Sequence, residues 1–151
     1  SLKKNGFEKV YAADISDKAL AVAKHNSKLN NADIIFLQSD LYENFPKEIR
    51  FDIIVSNPPY ISTDEIARIE KQVRDFEPKL ALDGGRDGLD FYKKIINLSK
   101  NFLNNKGRLY LEIGYDQSKD VVDLAKKEGY DNIVIIKDLS GRDRGISMKV
   151  N

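Results

Sequence analysis

The chain has 151 residues, and its 25 lysine and arginine residues almost balance its 24 aspartate and glutamate residues, for a formal net charge of +1. Near-neutral charge argues against nucleic acid as a partner, because binding to its backbone relies on a basic field. The lack of cysteine excludes disulfides, thiolate catalysis and cysteine-ligated metal. Without a signal peptide or an apolar run of membrane-spanning length, the chain is predicted to be one soluble, cytoplasmic domain over residues 1–151.

Short apolar strands alternate with amphipathic segments along the chain, a pattern typical of parallel strands linked by helices. We predict strands near residues 8–13, 33–37, 51–55, 108–113, 132–137 and 145–150. The last two are joined by residues 138–144, a loop too short for a crossover helix. Because a parallel connection needs a dozen or more residues, we expect the last strand to be antiparallel in an otherwise parallel sheet.

Four helices are predicted between these strands from apolar residues at helical spacing. The first begins at Ser16 or Asp17 and ends at Asn30–Asn31, and the fourth runs from about Gln117 to Glu128, before Gly129. The second carries Ile66, Ile69, Val73 and Phe76. The third carries Leu89, Tyr92, Ile95, Ile96, Phe102 and Leu103, and is predicted to close at residues 104–107.

The sequence Asn57-Pro58-Pro59-Tyr60 directly follows the apolar run of residues 51–56. Two prolines make a stiff, extended segment, because each fixes its own φ and restricts the residue before it. The Asn57 side-chain oxygen and a proline carbonyl are acceptors suited to the two hydrogens of an NH2 group, and Tyr60 is a flat wall beside them. The position of this four-residue segment, directly after a predicted strand, favours a ligand site. A turn that merely ends the strand is the alternative.

Several blocks in chain order resemble the HemK/PrmC family, the protein-(glutamine-N5) methyltransferases that modify peptide-chain release factors using S-adenosylmethionine. They are VYAADIS at 10–16, LQSDL at 37–41, IVSNPPYI at 54–61, FEP through LDFY between 76 and 92, LEIGYDQ at 111–117, and DLSGRDR at 138–144. The resemblance implies an α/β fold of the class I S-adenosylmethionine-dependent methyltransferase (Rossmann-like) type. It also implies a release factor as protein substrate, catalytic roles for Asn57, Pro58 and Tyr60, and substrate-binding roles for these three residues and Pro59. No metal site is predicted.

Cofactor-binding roles are predicted for Asp14, Asp40, Leu41 and Asn57. Asp14 ends a strand at the position from which an acidic side chain accepts hydrogen bonds from ribose hydroxyls. A charge at a helix N-terminus is its alternative. Asp40 is expected to accept from the adenine amino group, with Leu41 beside the ring; a solvated turn aspartate is the other interpretation.

One departure from the family is the absence of a first strand and glycine-rich cofactor loop, and of an N-terminal helical domain. We therefore interpret the chain as a catalytic-domain fragment whose missing strand belongs between the first and third strands seen here. Exposed strand edges beside that gap make a homodimer plausible. The corresponding alternative function is an inert fragment without cofactor binding. A second alternative is an enzyme that methylates adenine N6 or guanine N2 of RNA or DNA.

Other residues receive simpler interpretations. His25 is predicted to be a surface residue, and the run Asp83–Gly88 lacks the context and lysine of a phosphate loop. For Gly141-Arg142-Asp143-Arg144 a charged turn is preferred to an anion site. Tyr115 and Gln117 follow a strand and are weak candidates for lining a pocket.

Overall fold

The structure is a computed structural model that describes residues 2–66, 68 and 79–150. The chain divides into two compact units, Ser1–Ile49 and Arg50–Asn151, which we call the N-terminal unit and the C-terminal unit. The first contains a two-stranded sheet, and the second a four-stranded sheet.

The N-terminal unit is a β-α-β arrangement that follows a short 3-10 turn over Leu2–Asn5. Strand β1 covers Tyr11–Asp14, helix α1 covers Asp17–Leu29, and strand β2 covers Ile35–Gln38. The two strands run parallel, as expected for a connection that passes through a helix.

Helix α1 begins and ends where its sequence predicts. Ser16 is the N-cap, and its hydroxyl accepts a hydrogen bond from the backbone N–H of Ala19 at 3.2 Å. Asn30 is the C-cap, and the following Asn31 has a φ of 49°, in the left-handed region that asparagine tolerates better than most residues. The turn-prone pair therefore ends the helix and redirects the chain toward β2.

The C-terminal unit contains four strands and four helices in the described residues. The strands are β3 (Phe51–Ser56), β4 (Leu103–Glu112), β5 (Asp131–Lys137) and β6 (Asp143–Lys149). The helices are α2 (Thr63–Ile66), α3 (Lys79–Leu82), α4 (Asp90–Ser99) and α5 (Ser118–Lys127). Most of the predicted second helix lies outside the described residues, although Ile66 ends α2.

The four-stranded sheet has the order β3-β4-β6-β5. Strands β3 and β4 are parallel, whereas β6 is antiparallel to both β4 and β5. The predicted reversal of the last strand is thus confirmed. Strands β1 and β3 belong to different sheets, and each lies at an end of its own sheet.

The prediction for the third helix is wrong at its C-terminal end. Helix α4 stops at Ser99, and Leu103 together with residues 104–107 forms the start of β4 rather than a helix and its closing loop. The reason is strand pairing: the N–H of Phe51 donates to the Phe102 carbonyl at 2.7 Å, and Phe51 lies opposite Leu103 in the ladder. Tertiary hydrogen bonds outweigh the local helical spacing of these apolar side chains.

The core of the C-terminal unit lies between its sheet and its longer helices. The side chains of Ile95 and Ile96 from α4, Val121 from α5, and Ile146 and Met148 from β6 are at most 1% exposed. In the described part of the chain, every helix is too short or too polar to cross a membrane.

Candidate active site

The segment Asn57–Tyr60 leaves the carboxyl end of β3, the edge where ligands bind in parallel sheets. The ladder holds β3 up to Ser56, which lies opposite Leu111 of β4. Pro58 is buried, whereas the Asn57 side chain is exposed and makes no hydrogen bond to a residue that the structure describes. A rigid, anchored backbone therefore presents an amide that is available to a ligand.

The chain after Tyr60 is fixed by a short parallel bridge between Ile61 and Asp83. The Ile61 N–H donates to the Leu82 carbonyl at 3.1 Å, and the Gly84 N–H donates to the Ile61 carbonyl at 2.8 Å. The segment is thus held by backbone hydrogen bonds on both sides, by β3 before it and by this bridge after it.

The glycine-rich run Asp83–Gly88 packs against the same segment. A Cβ on Gly84 would lie only 2.9 Å from the Pro59 carbonyl oxygen and 2.9 Å from the Tyr60 Cα, so only glycine allows this close approach. The Asp83 carboxylate accepts hydrogen bonds from the Gly85 N–H at 3.0 Å and the Thr63 hydroxyl at 2.9 Å. Here the glycines serve backbone packing beside the Asn57–Tyr60 segment.

The side chain of Gln117, the residue before α5, is hydrogen-bonded to the Asn57–Tyr60 segment. Its Nε2 donates to the Tyr60 carbonyl at 2.9 Å and to the Gly88 carbonyl at 3.4 Å. Its Oε1 accepts from the Gly114 N–H at 3.0 Å. One amide therefore joins the candidate site, the glycine-rich run and the end of β4. From the sequence, Gln117 is only a weak candidate for lining a pocket, and these contacts are not predicted.

Three of the four candidate cofactor residues, Asp14, Asp40 and Leu41, lie in the N-terminal unit, at the carboxyl side of two neighbouring parallel strands, whereas Asn57 lies in the C-terminal unit. Asp14 is the last residue of β1, and its exposed carboxylate accepts from the Ser16 N–H at 2.8 Å through Oδ1. This contact is compatible with both the helix-start role and the ribose role, because a carboxylate has further acceptor sites. Asp40, two residues after β2, is also exposed.

The turn after β2 has a special backbone. Leu41 has a φ of 48°, in the left-handed region, which is uncommon for a bulky residue. The turn is fixed by Ser39, which is 3% exposed and whose hydroxyl accepts from the Asn44 N–H at 3.0 Å. The turn therefore places Leu41, in this left-handed conformation, directly after Asp40.

The hairpin of residues 138–144 folds as a charged turn. The Asp138 carboxylate accepts from the N–H groups of Ser140 at 2.8 Å and Arg142 at 3.0 Å, and these hydrogen bonds lower its pKa. The Arg142 guanidinium lies 5.6 Å from the centre of the Tyr115 ring. The hairpin thus reaches the loop that follows β4. Its Asp138 carboxylate is bonded within the turn, and its Asp143 carboxylate pairs with Lys137 at the end of β5.

The structure brings Asn57, Pro58, Pro59 and Tyr60 together on one unit, and Asp14, Asp40 and Leu41 on the other. His25 is exposed on α1, as predicted. The contacts of Gln117 were missed because they join residues as much as 57 positions apart. The one available signal was the position of a glutamine directly before a helix, which predicts a cap rather than a tertiary contact.

The comparisons with known proteins agree with this geometry. The model of the methyltransferase small domain family matches residues 1–76. Release factor glutamine methyltransferases from Thermodesulfovibrio yellowstonii and Flavobacterium psychrophilum are 42% and 44% identical over 89% and 94% of this chain, and over 48% and 50% of their own lengths. A methyltransferase from Pyrococcus furiosus, 21% identical, superposes with a TM-score of 0.72 over 98% of this chain and 66% of its own.

The fold is that of a class I S-adenosylmethionine-dependent methyltransferase domain. The chain belongs to the methyltransferase small domain family, and its resemblance to the release factor glutamine methyltransferases is confirmed by these relatives. It spans about half the length of the curated relatives that it matches.

Proposed function

We propose that this protein transfers a methyl group from S-adenosylmethionine to the side-chain amide nitrogen of a glutamine in a peptide-chain release factor. The observation that carries the proposal is the exposed amide of Asn57 at the start of a rigid segment, anchored at the carboxyl end of β3. The names of the relatives support the same activity.

Methyl transfer of this kind is an in-line displacement, so alignment of the nucleophile is the main requirement. S-adenosylmethionine supplies a methyl group on a positively charged sulfur. A glutamine amide is a poor nucleophile, because its nitrogen lone pair is delocalised into the carbonyl. We propose that the Asn57 side-chain oxygen and the Pro58 carbonyl accept the two amide hydrogens and so aim the nitrogen lone pair.

These hydrogen bonds strengthen as positive charge develops on the nitrogen, and they therefore stabilise the transition state more than the bound substrate. A nitrogen–carbon bond forms as the sulfur–carbon bond breaks, and the extra proton then leaves to solvent. The face of Tyr60 contributes a cation-π attraction of about 1 kcal/mol to the positive centre.

The residues of the N-terminal unit fit the cofactor chemically. We propose that Asp14 accepts from the ribose hydroxyls, that Asp40 accepts from the adenine amino group, and that Leu41 packs beside the ring. Both carboxylates are exposed. Asp14 is the last residue of β1 and Asp40 lies two residues after β2, so both are at the carboxyl ends of parallel strands, where nucleotides bind. We further propose that both units act as one catalytic domain, located in the cytoplasm, and that any homodimer forms through the edges of β1 and β3.

The proposal is tested by a competition assay with S-adenosylmethionine labelled with tritium on its methyl group. A purified bacterial release factor and an adenine- and guanine-containing oligonucleotide are offered together, and the label in each is counted. We expect the label in the release factor. Label in the oligonucleotide supports the nucleic-acid alternative instead and overturns the proposal.

Calorimetric titration of S-adenosylmethionine tests the other alternative, that the chain is an inert fragment without cofactor binding. It is carried out on the 151-residue chain and on a form extended upstream through the glycine-rich loop that the family resemblance predicts. Binding by the extended form alone assigns part of the cofactor site to that segment. Failure of both forms to bind contradicts the cofactor roles of Asp14 and Asp40.

A further inference from the structure

The side-chain amide of Gln117 has a fixed orientation, because each neighbouring backbone group can only donate or only accept a hydrogen bond. The Tyr60 and Gly88 carbonyls, at 2.9 Å and 3.4 Å, can only accept, so Nε2 faces them. The Gly114 backbone N–H, at 3.0 Å, can only donate, so Oε1 faces it. A glutamine satisfies both sides, whereas a carboxylate of the same shape satisfies only one.

The surroundings form a slot that fits this amide. A Cβ on Gly88 would lie 2.7 Å from Nε2 and 2.5 Å from the Tyr60 carbonyl oxygen, and Gly88 also has a φ of +71°. A Cβ on Gly114 would lie 2.7 Å from Oε1. Larger residues at either glycine would displace the amide, so backbone on two loops is shaped around Gln117.

Helix capping does not explain the conformation of the Gln117 side chain. Gln117 is the N-cap residue of α5, yet its side chain makes no capping hydrogen bond to the helix. It instead reaches a segment 57 residues earlier in the chain. The position in front of a helix supplies a fixed backbone from which the side chain extends to Tyr60.

A buried tyrosine supports the acceptor side of the amide. Tyr92 is 0% exposed, and its single hydroxyl hydrogen is shared between the Glu112 carbonyl at 3.0 Å and Gln117 Oε1 at 3.4 Å. Burial raises the pKa of this phenol well above its usual value, so the hydroxyl keeps its proton and remains a donor. The Tyr92 hydroxyl, which does not ionise near neutral pH, thus helps to hold Oε1 of the Gln117 amide in place.

We propose that Gln117 is a positioning residue that holds the Asn57–Tyr60 segment in the orientation needed for methyl transfer. The inference rests on the proposed function, and it deepens it. Because Pro58 and Pro59 are stiff, fixing the Tyr60 carbonyl also fixes the Pro58 carbonyl and the backbone of Asn57. The donor of Gln117 therefore acts on the substrate amide through the segment, without contacting the substrate itself.

The test compares Gln117→Glu, Gln117→Met and the control Tyr130→Phe in the form that is active in the competition assay. Gln117→Glu keeps the acceptor for Gly114 and loses the donor to Tyr60. Tyr130→Phe removes a buried hydroxyl whose hydrogen bond to the Ile96 carbonyl, at 2.9 Å, lies in the core. Thermal stability, the affinity for S-adenosylmethionine and kcat are measured for each variant.

We expect both Gln117 variants to lose about 10- to 100-fold in kcat, since small misplacement of reacting groups has effects of this size. Their affinity for the cofactor should stay within about twofold of wild type. Tyr130→Phe should lose thermal stability and retain kcat. A kcat within about twofold of wild type in Gln117→Met, or an equal loss in Tyr130→Phe, overturns the proposal.

The pH profile is a readout that loss of stability alone would not change. The carboxyl group introduced by Gln117→Glu regains a donor when it is protonated, so the ratio of its kcat to that of wild type should rise as pH falls from about 8 to about 5.5, the range in which partly buried carboxyl groups titrate. The ratio for Gln117→Met should stay flat. A flat ratio for both variants contradicts a donor role.

Hydrogen exchange separates this inference from the proposed function. Backbone amides of residues 60–63 should exchange faster in Gln117→Met than in Tyr130→Phe, whether or not the wild type methylates a release factor. Wild-type inactivity on the release factor refutes the proposed function alone. Unchanged exchange at residues 60–63 in Gln117→Met refutes the positioning role alone.

Discussion

The two units of the chain differ in how completely they bury their apolar residues. Of the buried apolar residues that the structure describes, the N-terminal unit has Leu20 and Ala32, whereas the other 14 belong to the C-terminal unit. The N-terminal unit exposes apolar side chains on both its helix and its sheet, including Val22 at 61%, Leu29 at 69% and Ile35 at 45%.

The difference indicates which unit has a core large enough to be stable by itself. A two-stranded sheet is at best marginally stable, while four strands packed on helices form a core. We therefore expect the segment Asn57–Tyr60 to stand on a stable scaffold. The residues proposed for the cofactor, Asp14 and Asp40, stand on a unit whose stability should depend on bound ligand or on further protein segments.

The largest expected effect is the loss of catalysis when Asn57, in the C-terminal unit, is replaced. Asn57→Ala should lower kcat about 100- to 1000-fold, the usual effect of removing a hydrogen bond that strengthens in the transition state. Most of the affinity for S-adenosylmethionine should remain. The check is steady-state transfer to the release factor together with calorimetry, and near-normal turnover would refute the role of Asn57.

The next largest effect is on the free energy of unfolding, which should respond differently to truncation of a side chain in each unit. Ile146→Ala, at a position 0% exposed in the C-terminal unit, should lower the free energy of unfolding by about 2–5 kcal/mol through the cavity that it creates. Val22→Ala, on the exposed face of α1, should change it by less than about 0.5 kcal/mol. Urea denaturation measures both, and similar losses in the two variants would contradict the comparison.

A smaller effect is expected at the proposed ribose contact. Asp14→Asn should raise the dissociation constant for S-adenosylmethionine about tenfold, because a hydrogen bond to a charged group is weakened. Asp17→Asn is the matched control, since Asp17 supplies an acidic charge to the first turn of α1 without the ribose role. If both variants bind equally well, Asp14 serves only the helix.

The smallest effect is the pH dependence of the ion pair between Asp87 and Lys93, whose charged atoms lie 2.7 Å apart. The Lys93 hydrogen bond lowers the pKa of the Asp87 carboxyl in the folded state. Its stabilisation is therefore present above the unfolded pKa of about 3.9 and is lost as pH falls through the lower folded pKa. Because both groups are exposed, the contribution is small.

Asp87→Asn should accordingly be slightly less stable than wild type at neutral pH and equally stable in strong acid. Thermal unfolding of both proteins as a function of pH measures the difference. A difference that persists after the carboxylates are protonated would show that the ion pair is not its source.

Local signals in the sequence were sufficient for much of the fold. Caps predicted the ends of α1, and the short loop before β6 predicted its reversal, because both depend on nearby residues. The start of β4 at Leu103 was not predictable in this way, since it depends on pairing with Phe51. The position of Asn57–Tyr60 after a strand was predicted correctly, but the amide of Gln117 that anchors it depends on contacts between distant residues.

The most direct test of the account is to locate the transferred methyl group by tandem mass spectrometry. A release factor is incubated with S-adenosylmethionine and either wild-type protein or the Asn57→Ala variant, and its peptides are sequenced. We expect one added methyl group on a glutamine side chain with the wild type, and almost none with Asn57→Ala. A methyl group on another residue type, or equal modification by both proteins, would contradict it.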